Sequence, residues 1–323
     1  MEGILTFISR NFILCFISIS AWIQIRSEYA KYNPLDKQNI TNRIFYQDDY
    51  KVICLIFTEE RWRQSAITFT SILENEPTFP YVFHLFNTIH CKDLTFRQYF
   101  IYTISKTTSK LFFHEINDTA LSWPKLFNYP PIIMAKLYLS KYLPKENKVL
   151  YLDSDTLIVR PLSAIYESKY NIDKHYFAGA KDCGTYPYRW INSGFIYYNL
   201  DLIRRNNMSE RSLQCVHSRG NRYYDDWCHT FCFPKRQVRI LPNRFNYNVN
   251  RITNNETRKG LSGESDQLIV AHFMHRSKIV FSMKNHSEID SITYNEHGKS
   301  LMHIYLNYYH IVNSTSKKLG IPE

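Results

Sequence analysis

Short apolar runs alternate with stretches of helical periodicity along the first half of the chain. Runs of five or six residues rich in Val, Ile, Leu and Phe are typical of buried strands, and they occupy residues 52–57, 81–86 and 110–114. Between and after them, apolar residues recur at helical spacing in residues 63–73, 94–104 and 131–142. Strands that alternate with helices in this way predict an α/β fold with a parallel sheet.

The most informative stretch covers residues 148–161, where Asp153 and Asp155 separate two apolar runs at 149–152 and 157–159. Carboxylates at the end of a buried strand are costly unless a cation meets them. In an extended chain, residues i and i+2 point to the same side, so we expect the two acids to converge while Ser154 faces away. Ligands lie beyond the carboxyl ends of parallel strands. The pattern therefore favours a divalent cation site here over a strand end with solvated acids.

After residue 161 the pattern is less regular. Apolar runs predict further strands at residues 176–180, 238–241 and 268–273. Residues 189–199 are predicted to begin as a loop and to continue as a strand. Helices are predicted from residue 201 and from residue 223. No internal repeat is evident, which favours a single main domain.

The chain is basic, with a net charge of +11 over 323 residues. Its composition, 44% hydrophobic and 21% charged, is that of a globular protein. The basic residues are scattered and form no block of five or more, which argues against a nucleic-acid partner. An anionic surface or a small anionic substrate remains compatible with the charge.

The N-terminal segment indicates targeting to the secretory pathway. Residues 12–23 are apolar or small and follow Arg10. As a helix they would rise about 18 Å, which is less than the roughly 30 Å of a bilayer core. A signal-anchor and a cleaved signal peptide are both compatible with residues 1–26. Residues 27–49 are polar and predict a stem, and residues 50–323 then form a lumenal domain.

Glycosylation motifs and cysteines agree with a lumenal location. Six Asn-X-Ser/Thr motifs begin at Asn39, Asn117, Asn207, Asn255, Asn285 and Asn313. Of seven cysteines, Cys15 lies in the hydrophobic segment, and the other six allow fifteen disulfide connectivities, among which the sequence does not choose.

Five motifs in a fixed order resemble the family-8 glycosyltransferases, the group that contains glycogenin and the bacterial lipopolysaccharide galactosyltransferases. They are Ala135-Lys-Leu-Tyr, Tyr151-Leu-Asp-Ser-Asp-Thr-Leu, Asn192-Ser-Gly-Phe, Asp225-Asp-Trp-Cys-His-Thr-Phe-Cys-Phe and Ala271-His-Phe-Met-His-Arg-Ser-Lys. The resemblance covers residues 50–282. Residues 122–127 and 241–247 resemble the glucoside xylosyltransferase branch in particular.

The resemblance implies a GT-A type single domain, with a Rossmann-like, mostly parallel mixed sheet flanked by helices. It also implies a retaining glycosyltransferase that moves a hexose or xylose from a UDP-sugar to a glycan or glycoprotein acceptor and depends on Mn²⁺. We expect such an enzyme in the Golgi or endoplasmic reticulum lumen. It would be a single-pass type II membrane protein, or secreted if the signal is cleaved.

The resemblance also assigns site residues. The implied metal ligands are Asp153, Asp155 and His272. The implied donor-binding residues are Phe57, Thr58, Lys136, Asp153, Ser154, Asp182, Asn192, Ser193 and Lys278. The implied catalytic residues are Asp225, Asp226 and Lys136.

Two routes lead to retention: attack by a carboxylate, or entry of the acceptor from the face that UDP leaves. Asp226 stands where relatives have Gln, which makes carboxylate attack conceivable. We favour front-face transfer, with Asp225 orienting the sugar.

The chain departs from the family pattern in its last motif. His275 stands where relatives commonly have Gly, and Ile279 and Val280 replace Pro-Trp. A side chain at position 275 could narrow a phosphate pocket. The alternative hypothesis is therefore a catalytically degenerate glycan-binding or scaffold protein. The sequence specifies neither the sugar nor the acceptor.

Overall fold

The computed structural model describes residues 50–91, 93–117, 131–181, 191–218, 225–249, 267–291 and 296–322. The chain divides into two compact units, Met1–Asp49 and Tyr50–Glu323, and all described residues belong to the second. The predicted targeting segment and stem, and also Asp182, lie outside the described residues. Within those ranges, no helix is both long enough and apolar enough to cross a bilayer.

The described strands are β1 (Lys51–Ile56), β2 (Tyr81–Thr88), β3 (Lys110–Ile116), β4 (Lys148–Leu152), β5 (Thr156–Ile158), β6 (Phe177–Lys181), β7 (Ile191–Asn199), β8 (Val238–Leu241), β9 (Tyr247–Asn248) and β10 (Val270–His272). The described α-helices are α1 (Trp62–Asn75), α2 (Phe96–Ile104), α3 (Leu139–Tyr142), α4 (Leu200–Arg205), α5 (Met208–Ser218), α6 (Asp225–Phe231), α7 (His286–Ser291) and α8 (Glu296–Lys318). Two 3-10 helices, Pro131–Tyr138 and His275–Ser282, also carry site residues.

Seven strands form the main sheet in the order β3-β2-β1-β4-β7-β6-β8. Neighbours pair in parallel except for β7, which is antiparallel to both β4 and β6. This is the mixed, mostly parallel α/β sheet that the family resemblance implies. In the register, Leu55 lies opposite Leu152, so the carboxyl ends of β1 and β4 stand side by side.

Alternation along β1 explains why the sheet is covered on both faces. Ile53 and Leu55 enter one hydrophobic cluster, whereas Cys54 and Ile56 enter another. Successive side chains of a strand point to opposite faces, so each cluster covers one face. Helix α1 packs Ile67 and Phe69 into the first cluster. A run of apolar residues without polar alternation is therefore the pattern expected of β1, because both faces of the sheet are covered.

A second, three-stranded sheet has the order β5-β10-β9. Strand β10 pairs antiparallel with β5, and His272 lies opposite Thr156. The prediction that Asp153 and Asp155 share one extended strand is wrong, because residues 153–155 form a turn between β4 and β5. The chain passes from the main sheet to the second sheet at this turn, so the two acids lie where the two sheets meet.

The structure differs from the predicted helices in two places. The segment predicted as one helix at 131–142 is mainly the 3-10 helix Pro131–Tyr138, followed by the single turn α3. The long C-terminal helix α8 was not predicted. Its Tyr305 packs against Phe273, with ring centroids 4.9 Å apart, and against Phe281 at 5.2 Å. Helix α8 thus packs on the residue that follows His272.

One disulfide joins Cys215 of α5 to Cys232, the residue after α6. The sequence left this connectivity open. The bond closes the connection between α5 and α6 and ties the C-terminal end of α6 to its neighbour. Cys54, Cys91 and Cys228 are free thiols among the described residues.

Candidate functional site

Two carboxylates and an imidazole converge where the two sheets meet. Ligand atoms of Asp153, Asp155 and His272 all lie within 4.8 Å of one another. His272 Nε2 is 3.0 Å from Asp155 Oδ1 and 3.8 Å from Asp153 Oδ2. The turn after β4 supplies the acids and the end of β10 supplies the imidazole, so the pairing of β10 with β5 assembles the cluster.

A chain of amides orients the imidazole of His272. Its Nδ1 lies 2.9 Å from Oδ1 of Asn246. The amide nitrogen of Asn246 donates to Oδ1 of Asn192 at 2.7 Å, so its oxygen must face the histidine. His272 Nδ1 therefore donates to Asn246, and Nε2 is the nitrogen that faces the carboxylates and that the neutral ring would offer to a metal ion. Such an outer hydrogen bond is typical of histidines that bind metals.

Gly194 makes room for this ring. A Cβ atom at position 194 would lie 2.2 Å from Cε1 of His272, which no real side chain could occupy. The Gly194 amide also donates to Oδ1 of Asn192 at 3.0 Å. The group that approaches this glycine most closely is therefore the ring of His272.

Lys278 neutralises Asp155. Its Nζ lies 2.7 Å from Oδ2 of Asp155, while Oδ1 faces His272. Burial would raise the pKa of Asp155, but His272 and Lys278 outweigh it and hold that pKa well below its usual range. Lys278 belongs to the 3-10 helix His275–Ser282, and 43% of its side chain is exposed.

Lys136 lies at the centre of a buried ionic network. Only 2% of its side chain is exposed. Its Nζ donates to Asp225 Oδ2 at 2.6 Å and to Asp153 Oδ1 at 3.2 Å. Burial opposes its charge, yet the two carboxylates outweigh burial and raise the pKa of Lys136 above its usual value. Lys136 is therefore charged, and it connects Asp153 of the carboxylate–imidazole cluster to Asp225 of helix α6.

Strand β7 holds the two acids that begin α6. Ser193 Oγ donates to Asp225 Oδ2 at 2.5 Å, and the Ser193 amide donates to Asp226 Oδ1 at 2.6 Å. Burial alone would raise the pKa of Asp225. Its contacts with Lys136 and Ser193 lower the pKa by more than that, so the pKa lies below its usual value. Burial and the charge of Asp225 raise the pKa of Asp226 to about 7. The neighbouring acids therefore have different charge states near neutral pH.

Further hydrogen bonds fix the direction of α6. Thr230 Oγ1 donates to the Asp226 carbonyl at 2.7 Å and accepts from the Ile191 amide at 2.9 Å. His229 Nδ1 donates to the Asp225 carbonyl at 2.6 Å, and its Nε2 accepts from the Tyr198 hydroxyl at 2.6 Å. Burial lowers the pKa of His229 to about 4, so the ring is neutral and this pair of bonds is consistent.

Two residues that contact the site were not predicted from the sequence. Tyr151 donates its hydroxyl to Asp153 Oδ1 at 2.5 Å, and Asn246 orients His272. The side-chain period of two along β4 places Tyr151 on the face of Asp153, so the sequence carried a signal for it. Asn246 lies between the 3-10 turn Asn243–Phe245 and β9, and nothing in its local sequence indicates its partner.

The remaining predicted donor residues lie apart from this network or outside the described residues. The Phe57 ring is buried against Phe96 and Phe100, with centroids 5.7 and 5.9 Å away, so its ring belongs to the core. Thr58 follows β1 and is partly exposed beside the end of β4. Ser154 lies in the turn, and its carbonyl accepts from Thr68 at 3.3 Å. Asp182 lies outside the described residues.

The network that the structure assembles therefore includes most of the predicted site. Its members are Lys136, Asp153, Asp155, Asn192, Ser193, Asp225, Asp226, His272 and Lys278. Two carboxylates with one imidazole form a ligand set for a divalent metal ion. Two lysines beside them provide the positive charge that a diphosphate requires. The arrangement can bind a metal ion together with an anionic donor.

Comparisons with known proteins agree with this geometry. The family model for glycosyl transferase family 8 matches residues 52–279. A Haemophilus influenzae protein that is provisionally named a glycosyltransferase is 26% identical over 161 residues, which are 44% of this chain. The matched part is 48% of that protein, so the chain matches about half the length of this curated relative.

Solved structures share the fold. The glycosyltransferase GlyE of Streptococcus pneumoniae superposes with a TM-score of 0.59 at 16% identity, covering 84% of this chain and 65% of GlyE. The galactosyltransferase LgtC, solved with donor and acceptor sugar analogues, gives a TM-score of 0.58 at 14% identity and covers 80% of this chain and 95% of LgtC. These neighbours are GT-A glycosyltransferases, and the family match extends over most of the described sheet. The chain belongs to glycosyl transferase family 8.

Proposed function

We propose that the chain is a retaining glycosyltransferase that moves a hexose or xylose from a UDP-sugar to a glycan or glycoprotein acceptor, with Mn²⁺ as its metal. The observation that carries the proposal is the convergence of Asp153, Asp155 and His272 beside Lys136 and Lys278. This combination of a hard-cation site with two ammonium groups fits a nucleoside diphosphate and its metal ion.

The donor set fits a divalent ion. Oδ2 of Asp153, a carboxylate oxygen of Asp155 and Nε2 of His272 face one another, and Asn246 holds the imidazole in the tautomer that ligation needs. These residues would hold the metal. When bound, a divalent ion supplies Lewis-acid stabilisation of the negative charge on the departing diphosphate.

The two lysines have different tasks in the proposed reaction. Nearly half of the Lys278 side chain is exposed, and its ammonium group lies at the end of a flexible aliphatic chain. It can therefore reach a diphosphate as a point charge. Lys136 is buried and bonded to Asp225 and Asp153. It fixes those carboxylates and places one positive charge beneath the donor.

The α6 acids support front-face transfer. Lys136 keeps Asp225 ionised and still, which suits a carboxylate that accepts hydrogen bonds from sugar hydroxyls. Asp226 has a pKa of about 7, so a large fraction of it is protonated at neutral pH and is a poor nucleophile. We therefore assign Asp225 to orienting the sugar, and we assign transfer to direct entry of the acceptor.

The proposed location is the lumen of the Golgi or endoplasmic reticulum, with the apolar segment at residues 12–23 as the targeting signal. The disulfide Cys215–Cys232 supports an oxidising compartment. The glycosylation motifs at Asn117, Asn207 and Asn285 support it too, because those asparagines are exposed and accessible to modification.

The test is a screen of UDP-sugars with the full chain, in which release of UDP is measured with Mn²⁺ and with EDTA. We expect one UDP-hexose or UDP-xylose to be hydrolysed in Mn²⁺ and none in EDTA. If no UDP-sugar is hydrolysed, calorimetry with UDP and Mn²⁺ tests whether the chain still binds UDP. No turnover and no heat of UDP binding would reject the proposal and favour a degenerate glycan-binding or scaffold protein.

A further inference from the structure

A pair of histidines connects α7 to α8, in a part of the chain that follows the family match at residues 52–279. Nδ1 of His286 and Nδ1 of His303 lie 2.6 Å apart, and the two ring planes are nearly parallel, at 18°, with centroids 4.8 Å apart. His286 is exposed, and 28% of the His303 side chain is exposed. The candidate active site uses neither residue.

Asp290 sets the tautomer of His303. Its Oδ1 accepts a hydrogen bond from Nε2 of His303 at 3.0 Å. The single proton of a neutral imidazole is then on Nε2, and the lone pair is on Nδ1, which faces His286. Lys299 donates to the backbone carbonyl of Asp290 at 3.0 Å. That contact leaves the side-chain pairing between Asp290 and His303 intact.

This arrangement has the chemistry of a metal-binding histidine. A carboxylate that holds the far N–H of an imidazole orients the ring and increases the basicity of the ligating nitrogen. Two imidazoles that bind one tetrahedral Zn²⁺ at about 2.0–2.1 Å place their nitrogens about 3.3 Å apart. His286 Nδ1 donates in the observed contact, so metal binding requires a small opening of the 2.6 Å separation and a shift of the His286 proton from Nδ1 to Nε2.

We propose that His286 and His303 bind a transition metal ion of the Zn²⁺ class through their Nδ1 atoms, with Asp290 as the positioning residue of His303. Imidazole ligands favour Zn²⁺, Cu²⁺ or Ni²⁺, whereas Mn²⁺ favours carboxylates. The site therefore differs chemically from the Asp153–Asp155–His272 cluster. The ring of His310 lies 6.4 Å from that of His286 at the same surface, and water would complete the coordination. The ion would cross-link α7 and α8.

The test uses the full chain with His272→Asn, which removes the imidazole of the candidate active site. Calorimetry with ZnCl₂ is expected to find one bound Zn²⁺ per chain in this background. Adding His303→Ala or His286→Ala is expected to abolish that binding. The matched control adds His217→Ala, which removes an exposed histidine of α5 and should leave Zn²⁺ binding unchanged.

Two further readouts separate metal binding from a simple hydrogen-bonded pair. Electron paramagnetic resonance of bound Cu²⁺ should show two nitrogen ligands, and these should disappear with His303→Ala. Asp290→Asn should weaken Zn²⁺ affinity about tenfold, the lower end of the range for such outer partners. Circular dichroism checks that each variant folds. If His303→Ala does not fold, His286→Ala provides the test instead. Unchanged Zn²⁺ binding after a folded histidine substitution, or no binding in the parent, would overturn the proposal.

Discussion

Each carboxylate of the candidate site has its own arrangement for balancing charge. Asp155 faces Lys278 and His272, and Asp225 shares Lys136 with Asp153. Asp226 instead accepts from a backbone amide, that of Ser193. Because burial and the charge of Asp225 outweigh this hydrogen bond, Asp226 keeps its proton to higher pH. These individual balances lead to different predictions for each residue.

Asp155→Asn should remove UDP-sugar turnover while leaving the fold intact. The amide cannot supply the negative charge that both Lys278 and a divalent ion require, so we expect a loss of at least about 100-fold in turnover. Initial rates at saturating Mn²⁺ measure the effect. Asp201→Asn, in the surface pair with Arg205, is the matched control and should keep full turnover. Near-normal transfer by the Asp155 variant would reject the metal assignment.

Asn246→Ala should weaken Mn²⁺ binding without touching a ligand. The substitution removes the acceptor that keeps the proton of His272 on Nδ1, so the ring is free to rotate or change tautomer. Loss of such a partner costs about 10–100-fold in metal affinity. Calorimetric titration with Mn²⁺ in the presence of UDP measures it. Asn243→Ala, three residues earlier, is the control, and equal affinities for the two variants would contradict the proposed orientation.

Asp226→Asn should stabilise the protein at alkaline pH. The folded-state pKa of Asp226 is about 7, whereas an unfolded aspartate titrates near 3.9. Between these values the folded chain holds the proton more tightly, so wild-type stability falls as pH rises, by at most about 1.4 kcal/mol per unit. The asparagine variant lacks this loss and can still accept from the Ser193 amide.

Urea unfolding of both proteins from pH 4 to pH 8 measures this difference. The stability of the variant relative to the wild type should grow up to about pH 7 and then level off, reaching on the order of 4 kcal/mol. A difference that stays constant over this range would show that Asp226 titrates normally.

At the scale of elements, the sequence predicted the strands better than the turns and helices. Strands β1, β2 and β4 are largely apolar because the sheet is covered on both faces, and that signal is local. The turn at Asp153–Asp155 was misread because the apolar residues on either side belong to two different sheets. A run of apolar residues does not reveal which sheet it joins.

The prediction of site residues shows the same limit. Asp153 and His272 belong to recognisable motifs, so the sequence indicated both before any distance was known. Asn246 contacts His272 only because β9 pairs with β10, and Asn192 completes the chain through β7. Such partners depend on tertiary pairing, and a single sequence carries no periodicity that identifies them.

For the whole molecule, α8 completes the core beneath the second sheet. Tyr305 is 1% exposed and packs on Phe273, which follows His272, and on Phe281, which lies three residues after Lys278. The C-terminal end is also fixed, since Arg63 of α1 donates to the Pro322 carbonyl at 2.7 Å. The chain that follows the family match therefore contributes to the stability of the domain.

Tyr305→Ala tests this contribution. Removing a buried aromatic ring should lower the free energy of unfolding by about 3–5 kcal/mol, because the cavity beneath β10 cannot close completely. Urea unfolding at neutral pH measures the loss. Asn307→Ala, at an exposed position of the same helix, should change the free energy by less than about 0.5 kcal/mol. A similar small effect for Tyr305→Ala would show that α8 is dispensable.

The contact between Lys278 and Asp155 has a consequence for the order in which ligands arrive. An incoming cation competes with this ammonium for the same carboxyl group, so its affinity for the bare protein is reduced. A nucleotide diphosphate offers the ammonium another anion and thereby releases the carboxyl group. Cation and nucleotide should therefore show positive heterotropic cooperativity, and by thermodynamic linkage each should strengthen the binding of the other by the same factor.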